Sequence, residues 1–302
     1  MAQRTDSGSP SVPDWLSEVF GPAARRAERL GWGFRNETWA VRLPDGRRVA
    51  ATRLADPAVA AILPARIASL RPLLVEAGLP VPAIVEIEPP PDGVLLTEFV
   101  DGIPGPELLN RVGGPATVGA LLGAAWRRLG TIDATELALP ALWASRDGLV
   151  AAARRWAGGV LPDLQAADRA RLEIELLVLP GLLRERPVGL VHGDLVPSNI
   201  LVLDDRLVAL LDLESVRLAD PLVDAAWFDW IVWFHHRSEE PAAWAAFATA
   251  AGLDGRDPVT AGLLRTYPLI RLLEILDGSA PGDRHRRRWL DQLVACLRRP
   301  GG

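Results

Sequence analysis

The sequence predicts an α+β protein, with a small, mostly antiparallel sheet and one helix first and a larger, mainly helical part after it. Two strand-like stretches, Glu37–Leu43 and Arg48–Arg53, flank the Pro-Asp-Gly turn at Pro44–Gly46, which is a strong hairpin signal. Beyond the Gly/Pro-rich break at Asp101–Gly105, apolar residues recur at helical spacing. These observations predict two parts, residues 1–100 and 103–302.

Four further elements are predicted in the first part. A short helix covers Asp14–Phe20, and a longer one covers Ala58–Ala77 although two prolines lie inside it and each removes a backbone hydrogen bond. Apolar runs predict strands at Leu79–Ile87 and Val94–Val100. The connection between the two parts is expected at about residues 96–102.

Helical and strand-like segments alternate in the second part. Apolar spacing predicts helices over Pro115–Leu129 and Ala166–Leu179. Short apolar runs separated by turns predict strands within Val188–Leu213. Beyond Pro221 the pattern is helical again to about Leu297.

Composition excludes several classes of protein. Half of the 302 residues are hydrophobic, which is ample for a core, and the net charge of −5 gives no basic field for nucleic acid. Cys296 is the only cysteine, so no intramolecular disulfide or cysteine metal cluster can form. The polar N-terminus has no signal-peptide core, and no run of about 18 uncharged apolar residues occurs. We expect a cytoplasmic protein without a membrane partner.

Four polar residues stand among apolar neighbours in LVHGDLVPSNILV and VALLDLESV: His192, Asp194, Asn199 and Asp212. Buried acids and amides need partners, and an oxygen-rich set of two acids and an amide suits Mg²⁺. One cysteine and four histidines make zinc or a redox metal a poor fit. In kinases the Mg²⁺-binding Asn follows the catalytic Asp by five positions, which is the separation of Asn199 from Asp194.

The segment HGDLVPSNIL…LLDLESVRLADPLVDAAW resembles the aminoglycoside phosphotransferase family, and the resemblance extends roughly over Gly31–Asp229. It implies a two-lobed protein-kinase-like fold, with a nucleotide-binding N-terminal lobe and a catalytic and substrate-binding C-terminal lobe. It also implies that Asp194 is the catalytic base and that Asn199 and Asp212 are Mg²⁺ ligands.

The same resemblance assigns supporting residues. Glu214 occupies the family's second acidic position after Asp212, and Asp224 matches an acid that supports the catalytic loop. His192 is expected to orient that loop.

On the nucleotide side, GWGFRNETWAV fits the family's loop over the phosphates of ATP or GTP. Gly33 would let the backbone approach phosphate, and Asn36 is the family's polar residue ahead of the strand. Leu96–Val100 would be the hinge, where Glu98 and Val100 offer backbone groups to a purine.

The chain departs from the family at one position. All 33 basic side chains are arginine, so Arg53 stands where the family has a strand lysine, and the helix has no glutamate at the expected place near Ile67. Arginine also grips phosphate but is not interchangeable with lysine. Either Arg53 contacts the phosphates without a glutamate partner, which we prefer because the base and metal positions are present, or nucleotide binding is weak and the chain is a degraded kinase.

Candidate acceptor contacts come from the C-terminal helices. Trp227, Trp230 and Trp233 recur at steps of three and fall near one helix face. Core packing is the simpler interpretation, and an aromatic wall for a substrate ring, represented by Trp230, is the alternative. Glu274 and Asp277 lie three apart in an apolar helix and, with Glu214, are candidate contacts to a cationic substrate.

The leading hypothesis is a Mg²⁺-dependent O-phosphotransferase that modifies an aminoglycoside, cyclic-peptide or macrolide antibiotic and gives resistance. Its acceptor would be a cationic or polyhydroxylated small molecule. One alternative is a metabolic kinase for a sugar, a choline-like alcohol or an amino-acid alcohol. Another is a catalytically weak pseudokinase that binds a ligand or partner.

Overall fold

The computed structural model describes residues 12–31, 36–87, 92–254, 257–279, 282–283 and 285–300. The chain divides into two compact units. The N-terminal unit consists of Met1–Pro72 and Val81–Asp101, and the C-terminal unit consists of Leu73–Pro80 and Gly102–Gly302.

The N-terminal unit is built on an antiparallel sheet. Its elements are α1 (Asp14–Phe20), β1 (Glu28–Leu30), β2 (Glu37–Arg42), β3 (Arg48–Arg53), α2 (Pro57–Glu76, of which the last four residues belong to the C-terminal unit) and β4 (Val94–Glu98). The strands pair antiparallel in the order β1-β2-β3-β4. The predicted hairpin is confirmed, and Gly46 closes its turn with a φ of 89° and an N–H bond to the Leu43 carbonyl.

One face of this sheet forms the core of the unit. Alternating residues of the strands point to the same side, so an apolar face results from the period-two pattern. This face packs against α1 and the short 3-10 turn after it. The buried residues of the resulting core are Leu16, Ala24, Trp39, Val41, Leu43, Val49, Ala51 and Leu96.

Helix α2 forms in spite of its two prolines, both of which are exposed. Leu63, Ile67, Leu70 and Leu74 recur at steps of three and four and make its buried stripe. Among the described helices α2 alone is long and apolar enough to cross a membrane, a test that core helices of globular proteins also pass.

The predicted strand at Leu79–Ile87 is wrong. The segment is extended, but it joins the sheet only through an isolated bridge between Ile84 and Thr97. Pro80 and Pro82 have no N–H to donate, so a continuous ladder cannot form there.

The C-terminal unit is mainly helical, which confirms the predicted α+β class. Its helices are α3 (Gly105–Leu109), α4 (Gly114–Leu129), α5 (Arg146–Val160), α6 (Ala166–Leu182), α7 (Leu222–His235), α8 (Glu240–Ala251), α9 (Pro258–Asp277) and α10 (Arg286–Leu297). Its strands are β5 (Ile103–Pro104), β6 (Gly189–Val191), β7 (Ile200–Leu203), β8 (Arg206–Leu210) and β9 (Arg217–Ala219).

The pairing of these short strands positions two loops of the unit, one after β6 and one after β8. Strands β7 and β8 form a hairpin through Asp204 and Asp205, whose φ values of 49° and 55° suit a two-residue turn. Strand β5 extends this hairpin, and β6 pairs separately with β9. The predicted strands within Val188–Leu213 are therefore confirmed, and the loops after β6 and β8 start from paired strands.

Helices α4 and α8 approach each other closely because α4 carries glycines where they meet. A Cβ atom added at Gly119 would lie 2.0 Å from the Ala243 carbonyl oxygen, and one at Gly123 would lie 2.4 Å from that of Phe247. Since both clashes are with backbone, a side chain there would force the helices apart.

We expect Gly119→Ala to lower the free energy of unfolding by about 1–3 kcal/mol, as overpacking of a filled interior does. The matched control is Gly158→Ala on α5, where an added Cβ meets no atom within 4 Å. That variant should keep or raise stability by up to about 1 kcal/mol, because alanine favours helix. Urea denaturation of the two variants measures the difference, and equal effects would contradict the close packing.

Candidate active site

The loop that follows β6 is held by one buried carboxylate of α7. Asp224 accepts the His192 N–H at Oδ2 and the Gly193 N–H at Oδ1, both at 2.7 Å. Its side chain is 1% exposed. Burial raises the pKa of Asp224 to about 7, although the two N–H donors act in the opposite direction.

Gly193 makes the tight course of this loop possible. Its φ of 78° lies in the left-handed region, and an added Cβ would be 2.2 Å from the Ser215 carbonyl oxygen. The loop therefore lies directly against the short 3-10 turn Leu213–Ser215.

His192 links the same loop to the chain just before Asp212. Its ring is fully buried, and Nε2 lies 2.9 Å from the Leu211 carbonyl oxygen. Burial lowers the pKa of His192, so the neutral ring donates its Nε2–H to that carbonyl. The orienting role of His192 stays a prediction.

Asp194 is held through both oxygens of its carboxylate. Oδ1 accepts the indole N–H of Trp227 at 2.7 Å, and Oδ2 accepts the side-chain amide of Asn199 at 2.8 Å. The Asn199 amide nitrogen also donates to the Asp194 carbonyl oxygen at 2.8 Å. Because its nitrogen serves Asp194, the Oδ1 atom of Asn199 is the one that can face a cation.

Asp212 follows β8 in an unusual backbone conformation. Its φ of 60° and ψ of 71° are left-handed, which costs energy for a non-glycine residue and is common at functional sites. Asp212 is exposed to solvent, although protein surrounds its carboxylate densely. This enclosure and the charges of Glu214 and Asp194 raise the pKa of Asp212 to about 8.

The donor set fits Mg²⁺. Asn199 and Asp212 offer an amide and a carboxylate oxygen, and the converging acids would be neutralised by a cation. Over the described part of the chain, no group of three or more His, Cys, Asp or Glu side chains could hold a metal. Two protein oxygens are typical for Mg²⁺, which keeps waters and nucleotide phosphates as its other ligands.

The predicted phosphate-gripping residues lie in the N-terminal unit. Gly33 falls outside the described residues. The Asn36 side-chain oxygen accepts the Ala55 N–H at 3.1 Å. Arg53 is exposed at the end of β3, and its Nη1–H group donates to the Asp92 carbonyl oxygen at 3.0 Å.

No glutamate of α2 is placed to pair with Arg53 in the way the family pairs its lysine. The expected position, Ile67, is buried and apolar, and the one glutamate of α2 is its last residue. Across the sheet, Arg53 lies opposite Glu37, which instead pairs with Arg29 at 3.7 Å and accepts the Trp15 indole N–H.

The last three residues of the predicted hinge, Glu98–Val100, line a cleft of about 590 Å³ within the N-terminal unit. Glu98 and Ala83 form two hydrogen bonds. The Glu98 N–H donates to the Ala83 carbonyl oxygen, and the Ala83 N–H donates to the Glu98 carboxylate. Arg48 covers the Phe99 ring at 3.7 Å. The cleft is lined by Arg47, Arg48, Val49, Ile84, Val85, Glu86, Glu98, Phe99 and Val100. Purine contacts by Glu98 and Val100 stay a prediction.

The candidate acceptor contacts lie in different surroundings. Trp230 is fully buried and stacks on Trp233 at 5.2 Å, which favours core packing. Glu274 is bonded to Arg217, Arg271 and the Trp143 indole. Glu214 is half-buried in the turn after Asp212, and Asp277 is exposed at the end of α9. Their substrate roles stay predictions.

Sequence comparison identifies the family. Residues 26–261 match the model of the phosphotransferase enzyme family (APH), which is most of the chain. The chain therefore belongs to this family, and the predicted resemblance is confirmed. Comparison with curated proteins by sequence gives no match.

Solved structures show the same fold at low identity. A thermostable mutant of aminoglycoside phosphotransferase APH(4)-Ia, bound to ADP and hygromycin B, has a TM-score of 0.65 and 17% identity over 97% of this chain and 99% of that chain. Macrolide 2'-phosphotransferase MphH from Brachybacterium faecium has a TM-score of 0.61 and 20% identity over 96% and 100% of the two chains. A choline/ethanolamine kinase family protein from Mesorhizobium loti has a TM-score of 0.62 and 18% identity over 95% and 94%.

The buried carboxylate of Asp224 predicts a pH dependence of stability. Its pKa in the folded chain, about 7, lies above the ordinary 3.8, so the folded state keeps a proton that the unfolded chain releases. Its contribution to stability is therefore full at about pH 4 and is lost as the pH rises to about 7.

As the pH rises through this window, we expect the free energy of unfolding of the wild type to fall relative to that of Asp224→Asn, since asparagine does not titrate. Other titrating groups are common to both proteins and cancel in the difference. Urea denaturation at several pH values measures it. A difference that stays constant or grows with pH would contradict the burial argument.

Proposed function

We propose that this phosphotransferase moves the γ-phosphate of ATP or GTP to a hydroxyl of a small-molecule antibiotic and requires Mg²⁺. The observation that carries the proposal is the arrangement of Asp194, whose carboxylate is fixed by two donors, one of them the amide of Asn199. Asp212, in its left-handed conformation, supplies a further acid from the loop after β8.

In this proposal Asp194 orients the acceptor hydroxyl and receives its proton. A carboxylate has about four lone-pair sites, and the two bonds to Trp227 and Asn199 leave sites for the acceptor. Positioning of this kind is the main task of the protein in phosphoryl transfer. Mg²⁺ held by the Asn199 and Asp212 oxygens would neutralise charge on the phosphate oxygens when bound.

For the nucleotide, we propose that Arg53 supplies positive charge to the phosphates without a glutamate partner. One of its N–H groups is bonded to Asp92, and a guanidinium has five, so donors remain. Asn36 and Gly33 belong to the proposed phosphate loop, and Glu98 and Val100 would offer backbone groups to the base.

The similar structures support the proposed acceptor class. Two of the structures similar to this chain are phosphotransferases of antibiotics, an aminoglycoside enzyme with hygromycin B bound and a macrolide enzyme. The net charge of −5 suits a cationic acceptor. We propose antibiotic resistance as the role, in the cytoplasm. The similarity to a choline/ethanolamine kinase family protein supports a metabolic alcohol as the second candidate.

The direct test is a transfer assay with ATP and GTP on hygromycin B, a macrolide, a cyclic-peptide antibiotic and choline, with the phosphorylated product detected by mass. With the acceptor that reacts, Asp194→Ala should lower kcat by about 10²–10⁴-fold, the usual contribution of a positioned base. Asp205→Asn, in the exposed β7–β8 turn, removes a carboxylate outside the site and should match the wild type. Wild-type turnover by Asp194→Ala would refute the assignment.

Calorimetry of a non-hydrolysable ATP analogue tests the metal site separately. We expect Mg²⁺ to tighten binding to the wild type by about tenfold or more, which is about 1.4 kcal/mol. Asp212→Asn should lose this gain and keep the metal-free affinity, because only the cation's ligand has changed. An affinity of the wild type for the analogue that is the same with and without Mg²⁺ would contradict the proposal and favour a pseudokinase.

A further inference from the structure

Trp227 donates its indole N–H to Asp194, a contact that neither sequence interpretation, core packing or an aromatic wall for a substrate, predicted. We infer that Trp227 is a positioning residue, whose indole N–H fixes the Asp194 carboxylate for the acceptor hydroxyl. The inference rests on the proposed function, since it gives Trp227 a task only if Asp194 meets the acceptor.

The indole is itself held firmly. Trp227 is 4% exposed, and its Nε1 lies 2.7 Å from Asp194 Oδ1. On α7 it follows Asp224 by three positions, so both side chains leave the same face of the helix. Asp224 binds the backbone of the loop while Trp227 binds the side chain of Asp194, and one helix turn therefore sets both.

The chemistry of the indole suits this task. An indole N–H only donates, so Trp227 cannot accept the acceptor's proton or compete with Asp194 as a base. With Asn199 on Oδ2 and Trp227 on Oδ1, both ends of the carboxylate are fixed, and so is the plane of the group. A shift of about 1 Å in such a group can cost about 10²-fold in rate.

The other tryptophans of α7 show that this contact is specific. Trp230 is equally buried, but its Nε1 has no hydrogen-bond partner among the described residues. The ring of Trp233 meets the guanidinium groups of Arg237 and Arg299, which lie 4.3 Å and 5.0 Å from its centre. Packing of this helix therefore does not by itself bring an indole N–H to an acceptor.

The kinetic test compares Trp227→Phe with Trp126→Phe. Trp126 also donates a 2.7 Å indole bond, to the Pro221 carbonyl oxygen, so the control loses a similar ring and a similar bond. We expect Trp227→Phe to lower kcat by about ten- to a hundredfold while both KM values change less than about twofold. Trp126→Phe should keep the wild-type kcat, whatever its loss of thermal stability.

A second readout needs no acceptor. In ¹⁵N-labelled protein the Trp227 indole signal, which is the one missing from Trp227→Phe, should move in Asp194→Ala and stay in Asp205→Asn. The Asn199 side-chain amide signals report on Asp194 Oδ2, and they should move in Trp227→Phe but not in Trp126→Phe. The Asp194→Ala comparison uses the native tryptophan, so it stands even where Trp227→Phe folds poorly.

The outcomes separate the two proposals. An indole signal unchanged in Asp194→Ala, or unmoved Asn199 signals with wild-type kcat in Trp227→Phe, would overturn the positioning role. If Asp194→Ala is inactive in that case, the proposed function survives. If Asp194→Ala itself keeps wild-type turnover, the proposed function fails even where the spectra show the hydrogen bond.

Discussion

The site depends on one buried carboxylate. Asp224 accepts hydrogen bonds from the backbone N–H groups of His192 and Gly193, and these two bonds fix the course of the chain after β6. The position of Asp194 follows from it, because Asp194 is the next residue and its side chain is reached by Trp227 one helix turn from Asp224. Burying a carboxylate this deeply costs free energy, and its two short hydrogen bonds offset part of that cost.

A second connection joins the two halves of the proposed metal site. The neutral ring of His192 reaches the Leu211 carbonyl, and the Leu211 N–H donates to the Asn199 carbonyl. These hydrogen bonds to the main chain of Leu211 link Asn199 to the residue before Asp212. They help to hold the left-handed conformation of Asp212. Burial and the nearby charges of Glu214 and Asp194 raise the pKa of Asp212, so a cation bound there would be favoured by charge neutralisation.

Much of this was predictable from the sequence, since the spacing of Asp194 and Asn199 and the apolar periodicity indicate a loop and its helices. The bond of Trp227 to Asp194 was not, because periodicity places a side chain on a face but does not say what its polar atom meets. Likewise, the sequence places Glu274 in an apolar helix but does not show its ion pair with Arg217, which lies on a strand far away in sequence. The predicted strand at Leu79–Ile87 does not form because Pro80 and Pro82 have no N–H to donate, which the apolar content of the segment does not reveal.

In the proposed reaction the phosphoryl group passes directly from the nucleotide to a hydroxyl held by Asp194, with no covalent intermediate on the protein. The stereochemical course at phosphorus tests it, with a nucleotide made chiral at its γ-phosphate by oxygen isotopes and sulfur. A single in-line displacement predicts inversion of configuration in the phosphorylated acceptor. Retention would mean two displacements through a phosphorylated side chain, and it would contradict the role given to Asp194.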